Sequence, residues 1–179
     1  MRQQHLFTPI SMQTIKAQDG FTLTEMIITV AIIAILSAIA IPNYVRQLKS
    51  SRQNEVIAVL SQIQTTLATY IDTNGAPNSS CSGSSVPTWA DLNSMAAIMT
   101  NNGPANDCTI ALTTEIVLPN ENYSVKRSGN SNNDYYYEFK AMNQQGDSDY
   151  NVFSCLDLST GASDTKTEAQ GGASALKCI

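Results

Sequence analysis

The sequence predicts an α+β protein: a long N-terminal α-helix packed on an antiparallel sheet of three to four strands. Three observations lead there. Met26 to Val45 is a run of 20 residues without a charge. Apolar residues continue past Pro42 at steps of three and four, through Val45, Leu48, Val56, Val59, Leu60, Ile63, Leu67, Tyr70 and Ile71. Later, Tyr135 to Met142 alternates at strand period, with Tyr135, Tyr137, Phe139 and Ala141 on one face.

The helical spacing predicts one helix from about Leu23 to Asp72. Proline removes one backbone bond and bends a helix without necessarily ending it, so the bend is expected near Pro42. Asn74-Gly75, then Pro77, supply the stop. Twenty helical residues span about 30 Å, the hydrocarbon thickness of a bilayer. A secretory signal core covers only ~7–15 apolar residues and ends at a small-residue cleavage site. This run is longer and reaches Pro42-Asn43-Tyr44 instead. The expected plan is a polar leader over residues 1–20, a hydrophobic membrane helix over 21–45 and a polar globular domain over 46–179.

Residues 73–109 read as a polar connection holding a short helix, Thr88 to Met99. Strands are expected at Thr109–Leu118, Tyr123–Arg127, Tyr135–Met142 and Asn151–Leu158, with hairpin-like linkers between the later ones. The Gly-, Ser- and Ala-rich tail, Ser159 to Ile179, reads as irregular.

Composition narrows the function. Charged residues are 14% of the chain, against ~25% in typical soluble domains. A net charge of −5 argues against broad neutralisation of nucleic-acid phosphates, while a local basic patch stays open. His5 is the only histidine, so Ser-His or Cys-His catalysis and His-ligated zinc must run through it. There is no Gly-rich phosphate loop. Asp147 and Asp149 share a Gly-containing loop but lack a regular set of oxygen ligands for calcium. No cofactor and no metal are expected.

Cys81, Cys108, Cys155 and Cys178 are the four cysteines. None is spaced Cys-x-x-Cys, which argues against zinc ribbons and thioredoxin-like redox motifs. An even count in an exported domain predicts disulfides. Three connectivities are possible. Local pairs, Cys81–Cys108 and Cys155–Cys178, are favoured because each closes a loop of about 23 to 28 residues, worth roughly 3 kcal/mol in the chain-entropy picture.

The start of the apolar run carries the sharpest signal. Glu25 sits at its edge, and an ionised carboxylate inside a membrane helix costs at least ~2.5–3.5 kcal/mol. A buried carboxylate needs a cation. The stretch Gly20-Phe21-Thr22-Leu23-Thr24-Glu25, followed by the apolar run and Pro42, closely resembles the N-terminal signature of type IV prepilins and the related pseudopilins. The resemblance covers roughly the first 45 residues.

It implies a pilin-like fold and cleavage by prepilin peptidase between Gly20 and Phe21, on the cytoplasmic side. The same enzyme would N-methylate Phe21. Glu25 would pair with the Phe21 amine of its own or a neighbouring subunit. Thr24 departs from the family's usual Ile, Val or Leu. Ala34 stands where many pilins have a helix-loosening glycine, so softening of the helix rests on Pro42. The Cys155–Cys178 loop resembles the disulfide-stapled C-terminal region that pilins display on the filament surface.

Orientation sets two rules against each other. Arg46, Lys49 and Arg52 follow the span, so positive-inside counting puts the C-terminal side in the cytoplasm. The resemblance puts the leader there and the body outside. Those three cations read as a solvated helix collar, with pairing to acidic surfaces of neighbouring subunits as the alternative.

The expected function is structural. The chain reads as a major or minor pilin, held in the inner membrane as a single-pass precursor and polymerised with copies of itself or other pilins on an inner-membrane assembly platform. The extracellular filament would serve adhesion, twitching motility or DNA uptake. A pseudopilin of a type II secretion system, building a periplasmic pseudopilus, is the alternative. A membrane-anchored binding module never cut at Gly20 is a third reading. Loss of His5 with the leader argues against an enzyme.

Overall fold

Helix α1 runs from Leu23 to Asn74. The computed structural model describes residues 20–128 and 135–178; the expected leader up to Asp19 and most of the Ser128–Asp134 linker lie outside the described residues. The chain divides into two compact units after Asn43. Pro42 lies inside α1, and its missing N–H leaves the Ala38 carbonyl without its helical donor. At the other end Gly75 adopts φ +71° and donates to the Ile71 carbonyl at 2.8 Å. That left-handed closure is the stop expected of Asn74-Gly75.

Tyr44 to Asn74 belongs to the second unit and buries one stripe: Val56, Leu60, Ile63, Leu67, Tyr70 and Ile71. These meet the inward side chains of an antiparallel sheet, among them Val125, Tyr137, Phe139, Ala141 and Val152. The alternation predicted for the tyrosine-rich strand decides this face: Tyr137, Phe139 and Ala141 are buried, whereas Tyr135, just outside the strand, is exposed. One polar pin crosses the apolar layer, where Gln64 Nε2 donates to the Cys155 carbonyl at 2.7 Å.

The sheet is a meander of five strands, not three to four. Its members are β3 (Ile116–Val117), β4 (Tyr123–Ser128), β5 (Tyr136–Asn143), β6 (Val152–Asp157) and β7 (Ala162–Thr167), each antiparallel to the next. Two expectations are corrected. The tail is not irregular, for Ala162–Thr167 pairs with β6 from Val152↔Thr167 to Asp157↔Ala162. Every residue of β6 is buried, so its backbone needs partners on both sides. The strand expected over Thr109–Leu118 shrinks to β3, because the Thr114 N–H turns back to the Ala111 carbonyl at 2.9 Å.

Between α1 and the sheet lie α2 (Trp89–Met95) and a tight hairpin of β1 (Met99–Thr100) and β2 (Gly103–Pro104). Thr88 caps α2 through a reciprocal box with Asp91. Asp91, 1% exposed, is ringed by donors rather than by a cation. Ser79 Oγ (2.5 Å), Thr88 Oγ1 (2.7 Å) and the Thr88 N–H (2.8 Å) reach Oδ2. The Cys81 N–H (3.0 Å), Ser80 Oγ (3.1 Å) and Tyr70 hydroxyl (3.1 Å) reach Oδ1. Burial pushes the Asp91 carboxyl up, but the hydrogen bonds from Ser79, Thr88 and Ser80 outweigh it and hold it at about 2. One carboxylate thus ties the end of α1, the Cys81 loop and the start of α2 together.

Candidate processing and assembly site

Gly20 and Phe21 precede α1 in irregular backbone, and Thr22 is its cap residue. Thr22 and Glu25 form a second capping box. The Thr22 N–H and hydroxyl both donate to Glu25 Oε2 at 2.8 Å, and the Glu25 N–H donates to Thr22 Oγ1 at 3.2 Å. The carboxylate therefore satisfies donors that an α-helix start leaves open. Both boxes are legible as Thr-x-x-acid, at Thr22–Glu25 and Thr88–Asp91, a spacing that also recurs inside α1 at Thr69–Asp72.

Gly20 has open space around it: among the described residues, no atom lies within 4 Å of where its Cβ would stand. Phe21 is 86% exposed. Gly20, Phe21 and Glu25 thus gather at one helix end. Pro42 lies seventeen residues beyond Glu25, about 26 Å along the axis at 1.5 Å per residue.

Between them the surface is apolar on all sides. Met26, Ile27, Val30, Ile33, Leu36 and Ile39 are all exposed. The most apolar 18-residue window of α1 has a mean hydropathy of 2.4 and none of it is buried, so length and composition suffice to cross a membrane.

The second unit holds the cysteines. They join as Cys81–Cys108 and Cys155–Cys178, with Cα–Cα distances of 5.4 and 6.0 Å. This is the local pairing that loop length favours. The two differ in setting: Cys155 and Cys178 are buried, Cys81 is exposed and Cys108 half-buried. Of the three collar cations, Lys49 is engaged, with Nζ 2.6 Å from Asp147 Oδ2 and 5.5 Å from the Tyr150 ring centroid. Among the described residues no group of three or more His, Cys, Asp or Glu side chains converges as a metal site.

Residues 15–41 match the family model of the prokaryotic N-terminal methylation motif. Similar curated proteins include the type IV major fimbrial protein FimA of Dichelobacter nodosus, 44% identical over 54 residues, covering 30% of this chain and 35% of that protein. The fimbrial protein of Pseudomonas aeruginosa is 46% identical over 50 residues, 28% of this chain and 32% of its own length. The type IV major pilin protein PilA of Myxococcus xanthus is 50% identical over 46 residues, 26% and 21% respectively. The matched segment thus spans only about a fifth to a third of these relatives. No solved structure matches the chain. The motif and these relatives agree on one segment: the N-terminal third of the chain carries the prepilin-type methylation motif and is similar to the N-terminal segments of type IV pilins.

Proposed function

We propose that this chain is a structural subunit of a type IV pilus, a major or minor pilin with no enzymatic role of its own. In this reading prepilin peptidase cuts between Gly20 and Phe21 and methylates Phe21. The apolar half of α1 holds the subunit in the inner membrane and then moves into a filament of like subunits on an inner-membrane assembly platform. The observation that carries the reading is the bare run from Met26 to Val45, with Glu25 at its start and Gly20-Phe21 just before it. Residues 1–20, 21–45 and 46–179 would be leader, membrane and polymerisation helix, and exported domain. The filament would serve adhesion, twitching motility or DNA uptake.

Glu25 has two tasks in this scheme. In the uncut chain its carboxylate accepts from Thr22. Cleavage creates a cationic amine at Phe21, a stronger partner than a neutral amide. Pairing with that amine, in the same or the next subunit, removes the cost of an unpaired carboxylate in an apolar filament core.

The test is the N-terminal mass of the protein from its own cell membranes. A peptide starting at Phe21 and heavier by one methyl group is expected; an intact Met1 or a cut near Tyr44 overturns the reading. Glu25→Ala should be processed yet fail to assemble, and normal filaments from that variant would sink the pairing argument. Immunogold labelling of surface filaments distinguishes a pilin from a pseudopilin of a periplasmic type II secretion pseudopilus.

A further inference from the structure

The five-stranded sheet has two ends, and they are finished differently. At the β7 end, side chains cap the outward backbone: the Thr165 N–H donates to Asp164 Oδ1 at 2.8 Å and the Thr167 N–H to Gln170 Oε1 at 3.1 Å. Such capping, with charged residues on the strand, is how edges are kept from pairing. The β3 end lacks it. The Leu118 N–H donates to the Tyr123 carbonyl at 2.9 Å. Antiparallel alternation then turns the N–H and C=O of Val117 away from β4. The Val117 carbonyl accepts from the Asn101 N–H at 2.9 Å. Among the described residues, the Val117 N–H and both backbone groups of Glu115 have no hydrogen-bond partner.

A cleft of about 530 Å³ runs along this edge, inside the ~300–1,000 Å³ range of ligand sites. Trp89, Ile110 and Ile116 line it together with the β1–β2 turn; Ile110 is half-buried, over the buried Trp89 and Ile116. The charged residues lining it are Asp107 and Glu115, and no Lys or Arg lines it; from outside the cleft Lys126 Nζ reaches Glu115 Oε2 at 3.5 Å, an exposed pair that a second cation can share. The flanking sequence is strand-prone over Thr109–Leu118, yet only Ile116 and Val117 enter the ladder. Open backbone groups, an apolar floor and two carboxylates together describe a template for one more strand.

We propose that the β3 edge is a strand-addition site that takes an extended, basic peptide segment of a partner protein. The added strand would pair through its main chain with the N–H and C=O of Glu115 and with the Val117 N–H, the Val117 carbonyl keeping the Asn101 N–H. One face of its side chains would meet the apolar floor, while lysine or arginine side chains would reach Asp107 and Glu115. The site lies outside the processing motif and does not depend on filament formation.

The probe is a fluorescent acetylated hexapeptide amide of alternating lysine and valine, titrated into the full chain in detergent micelles and read by anisotropy. Saturable binding is expected below about 1 mM. Two further peptides carry backbone N-methyl groups on alternate amides, one set each. Strand addition uses only one set, so one peptide should bind about tenfold more weakly and the other should not. Asp107→Asn with Glu115→Gln should weaken binding about tenfold at low salt, with the unfolding midpoint checking that the variant is folded. Absence of saturable binding overturns the proposal. So does equal binding by the three peptides, which marks ionic adsorption, or indifference to loss of both carboxylates.

Discussion

The two halves of α1 are equally continuous helix but obey different rules. From Val56 to Ile71 the buried apolar residues occupy one stripe, and the chain supplies its own cover: a five-stranded sheet and α2. From Leu23 to Asn43 apolar residues occupy every side, and large side chains such as Ile27, Ile33 and Leu36 are about 60% exposed. A stripe can be satisfied by one sheet, whereas a helix apolar all round needs apolar surroundings on every side. The first half is therefore complete only in lipid or among other helices, and the second half is covered from Val56 onward, with Tyr44, Val45 and Leu48 still exposed.

The largest expected effect tests this directly. Leu60→Ala leaves a cavity under the sheet and should destabilise the globular unit by about 2–5 kcal/mol. Ile33→Ala removes a side chain with no intramolecular cover and should leave the unfolding midpoint of that unit unchanged. Denaturant unfolding of the detergent-solubilised chain, followed by near-UV signals of Trp89, measures both. Equal losses would mean that the two halves are not distinct.

The disulfides sharpen the same contrast inside the globular unit. Replacing Cys155 and Cys178 together by Ser should cost about 3 kcal/mol, because the bridge fixes the C-terminal segment to buried β6. Access to sulfur limits thiol exchange. Mild reductant followed by alkylation should therefore label Cys81 and Cys108 first, and Cys155 and Cys178 only on unfolding. Simultaneous labelling in the native state would contradict the burial difference.

A smaller loss is expected on acidification. The Asp91 carboxyl is held at about 2 in the folded chain against 3.8 ordinarily. A depressed carboxyl contributes stability that is present above its unfolded value and lost as pH falls through its folded value. Stability from this site should fall between about pH 5 and pH 2, by at most about 2 kcal/mol. Asp91→Asn should flatten that window while lowering stability at neutral pH. An unchanged acid profile in the variant would remove Asp91 as its cause.

Periodicity carries far in this chain. Steps of three and four gave the length of α1 and the buried stripe from Val56 to Ile71, though Val45 and Leu48 of the expected stripe are exposed and Val59 is half-buried; alternation gave the inward face of β5. It is weak wherever pairing rather than burial makes a strand. Ala-Ser-Asp-Thr-Lys-Thr has no apolar face to read, yet β6 draws it into the ladder as β7. Thr109 to Leu118 has strand-like composition, but the turn closed by Thr114 on Ala111 halts it. The candidate site was legible as a motif, from Gly20 to Glu25. The bond between Thr22 and Glu25 was legible only as a capping signature.

The smallest effect lies just beyond the boundary between the two halves. Lys49 follows the apolar run and meets Asp147 at 2.6 Å, with both side chains about 30% exposed. The hydrogen bond to Asp147 raises the Lys49 ammonium above its usual range. A raised lysine contributes below its unfolded value and is lost as pH climbs through the folded one. Exposed pairs contribute little and are screened by salt. A double-mutant cycle of Lys49→Ala and Asp147→Ala should therefore show a coupling near the limit of measurement at low salt and none at 1 M NaCl. A coupling that survives salt would mean that this pair, rather than the apolar stripe, fixes the β5–β6 loop to α1. A coupling of zero at every salt would return Lys49 to the solvated collar with Arg46, leaving its charge available to an acidic neighbour.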